Sequence, residues 1–327
     1  MDVPDYDLPE SAIAQVPAAR RDSARLLVAL GGTLRHQRVS QLPGLLGPGD
    51  VLVVNTSRVV PARLALHKLS GGQAEVLLLE PVPGRPGRFQ ALVRPGRRLP
   101  PGTLLYCADQ AVLEVGERLA DGSREVNSLV DDLSSFGALA LPPYIHHRLE
   151  DPERYQTVYA ERPGSVAAPT AGLHLTEAVL ATCRQRGVEV ATLDLAVGLG
   201  TFRPIKAAQV EEHAMHSERY CIAASTWEAC LGARRVVAVG TTTLRALESA
   251  AASGALEGRT ELFIRPGYPF AVVDVLLTNF HQPRSTLLVL LEAFAGPRWR
   301  DLYAVALAED YRFLSFGDAM IVGRHVL

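Results

Sequence analysis

RVVAVGTTTLRALESAA, residues 235–251, decides how this chain folds. Residues 235–239 form a short β-branched run suited to a buried strand, and Gly240 ends it. From Thr243 to Ala252 the apolar residues then fall at helical spacing. A strand that passes directly into a helix is half of a βαβ unit, and the same alternation continues in both directions. Downstream, residues 272–278 read as a strand and 285–295 as a buried helix. Upstream, 225–233 reads as a helix and 189–197 as a strand. Residues 176–186 read as a helix capped by Thr176 and stopped by Gly187. The alternation predicts a mostly parallel α/β core, as an open sheet or an irregular barrel.

Nearer the N-terminus, residues 51–54 and 59–66 read as strands around the polar turn Asn55-Thr56-Ser57-Arg58. The character then changes. Short apolar runs at 74–80, 89–93, 103–107 and 111–115 alternate with Pro83-Gly84, Pro95-Gly96 and Pro101-Gly102. Such spacing without helical periodicity predicts a small antiparallel sheet or barrel. No long linker leads in or out. The expected division is therefore an α/β domain of residues 1–65 and 142–327, with 66–141 inserted as a β domain.

Composition narrows the function classes. Of 327 residues 48% are hydrophobic, and the mean hydropathy of +0.11 supports a sizeable core and excludes a disordered chain. The acidic, proline-broken start MDVPDYDLPE is unlike a targeting segment. The apolar stretch 286–295 is interrupted by Glu292 and is about half the length of a membrane span. A soluble, cytoplasmic monomer is expected. Cys107, Cys183, Cys221 and Cys230 are widely spaced and read as reduced structural thiols. A net charge of −2 gives no global field for a polyanion. Lys68 and Lys206 are the only lysines, so phosphate contacts would fall to arginine, whose planar fork suits phosphate oxygens.

Candidate site residues cluster in a few polar blocks. VAAPTAGLHLT (166–176) holds Thr170 and His174, and LLTNFHQPRST (276–286) holds Asn279, His281 and Arg284. Gly240-Thr241-Thr242-Thr243 opens a helix carrying Arg245, a junction that offers N–H groups to an anion; a simple helix cap is the plain alternative. Gly198 and Gly200 form a G-x-G after a strand, which without a third glycine reads as a tight turn. His213 and His216, in HAMHSE, lack further ligands at metal spacing and are better read as acid/base groups. No metal is expected. Arg94, Arg97 and Arg98, with Arg85 and Arg88, crowd turns of the inserted region as a solvated face or a phosphate-tracking patch.

These blocks carry a resemblance. YDLPESAIAQ (6–15), RRDSARLL (20–27) and GDVLVVNTSRVVPARL (49–64) stand in order before LPPYI (141–145) and YQTVYA (155–160). VAAPTAGLHLT, VGLGTFRPI (197–205), HAMHSE (213–218), VAVGTTTLRALES (237–249) and PGY (266–268) follow, and TNFHQPRSTLL (278–288) and YRFLSFGDAMI (311–321) close the series. Along its whole length the chain resembles the S-adenosylmethionine:tRNA ribosyltransferase-isomerase family of queuosine biosynthesis. Three positions depart from that family's pattern. Residues 55–58 lack its Asp, Leu175 replaces a Phe, and Ala196 stands where the family has His.

The resemblance implies an irregular α/β barrel-like catalytic domain with a small antiparallel β-barrel inserted. It also implies that the ribosyl part of S-adenosylmethionine is transferred to a 7-aminomethyl-7-deazaguanine at the tRNA wobble position and isomerised. Epoxyqueuosine, adenine and methionine are the implied products, with S-adenosylmethionine consumed as a substrate and no cofactor needed. The implied chemistry begins with proton abstraction at C5′ beside the sulfonium. His174, His213, His216 and His281 are the candidate bases, and Arg245 or Arg284 would hold the methionine carboxylate. Asn279 with Thr170 would orient the ribose, with Thr241, Thr242, Gly198 and Gly200 as further substrate contacts. Arg94, Arg97 and Arg98 would hold tRNA. A paralogue acting on a small nucleoside or sulfonium metabolite without RNA is the alternative class, and a non-catalytic RNA-binding protein is a third.

Overall fold

A computed structural model describes residues 2–198, 205, 210, 215 and 217–324. The chain gathers into two compact units. Met1–Arg58, Pro142–Arg162 and Ala168–Leu327 form one, and Val59–Leu141 with Pro163–Ala167 the other.

The first unit is built on a nine-stranded mixed sheet. Its centre is parallel: Arg235–Val239 lies between Asp50–Asn55 and Val275–Asn279, and Glu189–Leu195 continues beyond Asp50–Asn55. Glu218–Ile222 and Glu257–Thr260 extend that side antiparallel. On the other side come Ala319–Gly323, Arg25–Leu30 and Thr33–Arg38. The central strands are buried on both faces, which is why they read as continuous apolar runs. Leu26, Val28, Leu52, Val54, Val237, Val239, Leu277 and Ile321 point to one face and pack with Val179, Leu180 and Cys183 of helix α1 (Glu177–Gln185). Asn55 ends its strand by imitating a peptide group: its Nδ2 donates to the Leu195 carbonyl at 3.0 Å, and its Oδ1 accepts the Leu195 N–H at 3.1 Å. The expected polar turn at 55–58 is thus partly strand.

The other helices of this unit are α2 (Ala224–Gly232), α3 (Thr241–Ser253), α4 (Thr286–Ala295) and α5 (Trp299–Ala308). Thr176 caps α1 as expected, its side chain accepting the Val179 N–H, and Gly187 follows the helix with φ +78°. Ser285 caps α4 in the same way through the Leu288 N–H. Among the described residues no helix is long and apolar enough to cross a membrane. No described group of three or more His, Cys, Asp or Glu residues could hold a metal ion.

The second unit is a closed six-stranded antiparallel barrel. In spatial order its strands are Arg63–His67, Gln73–Pro81, Arg88–Arg94, Arg124–Ser128, Gln110–Arg118 and Leu104–Cys107. Pairing of His67 with Tyr106 closes the ring, and Gly137–Ala138 adds a short edge to the first strand. Leu64, Leu66, Val76, Ala91, Leu105, Leu113, Val115 and Val126 fill the interior. The expectation of an antiparallel β unit here holds, and its Gly/Pro turns are what made it legible. Residues 124–128 escaped notice because REVNS carries one core residue, Val126.

Candidate functional site

Two neighbouring strand ends build the site. Arg235–Val239 and Val275–Asn279 run parallel, so their C-terminal ends emerge side by side. Gly240, at φ +90°, turns the first strand into α3; a side chain on an L-residue would be strained there. After the second strand, Phe280–Arg284 turns into α4, and Arg284 holds a left-handed φ of +54°. Its N–H bonds the Pro4 carbonyl at 3.0 Å and pins the turn. The third piece is the short 3-10 turn Thr170–His174.

The three pieces border a small cleft. Thr170, Val197, Gly240, Thr241, Thr242, Thr278, Asn279 and His281 border it. An adjoining hollow shares Thr170, Asn279 and His281 and reaches Tyr144, Gln282 and Ser315. Ligand sites favour such strand ends in open α/β sheets.

Asn279 is the hub. Its Oδ1 accepts the Thr170 hydroxyl at 2.8 Å. Its Nδ2 faces the Leu314 and Asp318 carbonyls at 3.3 and 3.4 Å and donates to His174 Nε2 at 3.0 Å. Because two carbonyls can only accept, the amide orientation is fixed and His174 Nε2 must present its lone pair. The His174 proton therefore sits on Nδ1. Burial, with Arg312 and Arg21 nearby, lowers the His174 pKa to about 4. His174 borders a separate small hollow with Arg21, Arg154 and Phe316 instead of the cleft. It supports Asn279 from behind.

His281 faces the cleft itself. Its Nε2 lies 2.9 Å from Thr278 Oγ1. Its backbone is clamped twice: the N–H donates to Tyr303 Oη at 2.8 Å, and the carbonyl accepts from Tyr6 Oη at 2.6 Å. Burial pushes its pKa down to about 3, so the ring is neutral across physiological pH. Tyr6 belongs to the YDLPES block quoted for the resemblance, but nothing in the sequence marks Tyr303 as its partner.

Neither arginine expected to hold a carboxylate borders the cleft. Arg245 is 4% exposed, and its Nη1 pairs with Glu218 Oε2 at 2.8 Å; Glu218 Oε1 accepts the Gly198 N–H at 2.9 Å. Arg284 is half exposed, with its guanidinium 3.6 Å from Asp5. Gly198 thus serves as a backbone donor to Glu218, whereas Gly200, His213 and His216 lie outside the described residues. Ala196, where the resemblance implies a His, directly precedes the cleft residue Val197. In the barrel unit, Arg94 ends a strand and Arg97 and Arg98 sit on the next turn, all exposed. No described carboxylate lies within ion-pair distance of the three, whereas Arg85 and Arg88 both approach Glu125.

The chain is similar to known proteins along nearly its whole length. A family model described as "Queuosine biosynthesis protein" matches residues 2–322. An S-adenosylmethionine:tRNA ribosyltransferase-isomerase of Rubrobacter xylanophilus is 48% identical over 97% of this chain and 96% of its own length. One from Thermus thermophilus is 50% identical over 97% of this chain and 98% of its own. A crystal structure of S-adenosylmethionine tRNA ribosyltransferase from Thermotoga maritima superposes with a TM-score of 0.56 at 34% identity, covering 97% of this chain and 99% of that one.

Proposed function

The chain belongs to the S-adenosylmethionine:tRNA ribosyltransferase-isomerase family of queuosine biosynthesis, and on that premise we propose that the Thr170–Asn279–His281 cleft is its catalytic site. Its substrates are S-adenosylmethionine and a tRNA carrying 7-aminomethyl-7-deazaguanine at the wobble position. The products are epoxyqueuosine in the tRNA, adenine and methionine. The observation that carries the reading is the convergence of two blocks 109 residues apart, joined by the Thr170–Asn279 hydrogen bond beside His281.

Each side chain has a part. Thr170 and Asn279 orient the ribose hydroxyls. His281, the described histidine that borders the cleft, accepts the C5′ proton, which the adjacent sulfonium acidifies. His174 sets the orientation of the Asn279 amide. The barrel of residues 66–141 is an inserted domain whose Arg94, Arg97 and Arg98 meet the tRNA backbone, while 1–65 and 142–327 form the catalytic domain. Incubation with both substrates, followed by mass spectrometry of free adenine and of digested tRNA, tests the reading. Adenine and a new wobble nucleoside are expected together. A folded protein that binds both substrates and forms neither product contradicts it.

A further inference from the structure

Helix α3 begins in an unusual way. It is 13 residues long, its first three residues are buried, and among the described residues no side chain caps it, the residue at the cap position being Gly240. Every α-helix leaves its first N–H groups without intrahelical acceptors, and a buried helix start without a cap leaves that need unmet. Among the described residues nothing accepts from the N–H groups of Thr241, Thr242 or Thr243. Gly240, Thr241 and Thr242 all border the cleft.

The Thr242 side chain makes an independent case. It is 5% exposed, yet among the described residues its Oγ1 has no hydrogen-bond partner. Thr243 shows the ordinary alternative, its hydroxyl bonding the Val239 carbonyl at 2.7 Å. Thr242 Oγ1 instead sits 3.6 Å from the position where a side chain on Gly240 would begin, at the mouth of the helix. A buried hydroxyl without a partner costs stability unless something else completes it. Glu218, the ion-pair partner of Arg245 of α3, has its two oxygens engaged by Arg245 and the Gly198 N–H.

We propose that the N-terminus of α3 is the subsite for the α-carboxylate of the sulfonium substrate, held by the Thr241 and Thr242 N–H groups and the Thr242 hydroxyl. The inference rests on the cleft being the S-adenosylmethionine site. It orients that substrate, with the methionine arm toward α3 and the ribosyl group toward Thr170, Asn279 and His281. Helix N-termini suit carboxylates because the N–H groups and the helix dipole both favour negative charge.

Calorimetric titration of the whole protein with S-adenosylmethionine and with its decarboxylated analogue tests this, using wild type, Thr242→Val and Thr242→Asp. Wild type is expected to bind S-adenosylmethionine at least about tenfold more tightly than the analogue, as fits charge-assisted hydrogen bonds. Thr242→Val narrows that gap at least about threefold. Thr242→Asp supplies its own carboxylate to the helix start, so its discrimination disappears while its thermal midpoint rises. Equal binding of the two ligands by wild type overturns the inference, and that outcome includes a subsite used by an RNA phosphate instead. A preference undiminished in both variants overturns it as well. The wild-type comparison stands even if neither variant folds. Adenine formation by wild type is scored separately: its absence removes the functional reading, whereas adenine formation without carboxylate preference removes only this inference.

Discussion

Burial acts on His174 and His281 in the same direction. Both rings are held neutral far below the ordinary histidine pKa of about 6.5, His174 to about 4 and His281 to about 3. The sign of the resulting pH dependence follows directly. In the unfolded chain both rings take up protons below about pH 6.5, while in the folded chain they do so only near 4 and 3. The unfolded state therefore binds more protons between those limits, and stability falls as pH drops through that window. Each ring contributes up to about 1.4 kcal/mol per pH unit there. Urea unfolding at pH 7, 6 and 5 should show this loss, and Asn replacements at the two positions should flatten it. A stability that is flat from pH 7 to 5 would contradict the burial of both rings. The sequence placed these histidines in polar blocks but did not separate their roles. That distinction lies in the Leu314 and Asp318 carbonyls, which fix the Asn279 amide and come from a loop more than thirty residues away.

At the scale of elements, the site depends on how closely the 170–174 turn packs on residues 155–159. A Cβ on Gly172 would collide with the Tyr159 hydroxyl and press on Thr157. Gly172→Ala must therefore shift the turn that carries Thr170 and His174. It should lower the rate of adenine formation by at least about tenfold while the protein stays folded, since small misplacements near a reacting centre are costly. Tyr159→Phe in the same chain removes the colliding oxygen and should restore part of the rate; no recovery would place the defect elsewhere. Glu248 of α3 anchors a second element. Its buried carboxylate accepts the N–H groups of Ala271, Val272 and Val273 at 2.8, 3.0 and 2.9 Å, fixing the segment that enters the strand Val275–Asn279. Glu248→Ala orphans three donors and should destabilise the protein by about 3 kcal/mol or more in urea titration. A loss under about 1 kcal/mol would contradict the anchor. The helix α3 and the strand before it were legible from β-branched and helical spacing. The anchor was not, because a Glu on a helix reads as a solvated charge until its tertiary donors are known.

At the scale of the molecule, the proposed tRNA contact is electrostatic. A chain of net charge −2 must concentrate positive charge locally to hold a polyanion, and the barrel unit leaves Arg94, Arg97 and Arg98 exposed with no described carboxylate beside them. Replacing the three with Ala should weaken tRNA binding and reduce the slope of log affinity against log salt by about 2–3, leaving S-adenosylmethionine affinity unchanged. An unaltered slope would put the RNA surface elsewhere. The two-part architecture was readable because Gly/Pro-rich turns and βα alternation are local signals. Missed strands such as Arg25–Leu30 and Ala319–Gly323 pair across almost the whole chain, and that pairing has no local signature. The claim joining these scales is that chemistry takes place where Thr170, Asn279 and His281 meet. Single-turnover adenine formation at saturating S-adenosylmethionine and tRNA tests it most directly, comparing wild type with His281→Ala and Asn279→Ala, and with His36→Ala in the strand Thr33–Arg38, which is not part of the cleft. The account predicts a loss of about 10²-fold or more for the first two, the scale of a lost acid–base group, and a near-wild-type rate for the third. Wild-type rates in folded His281→Ala and Asn279→Ala proteins would contradict it.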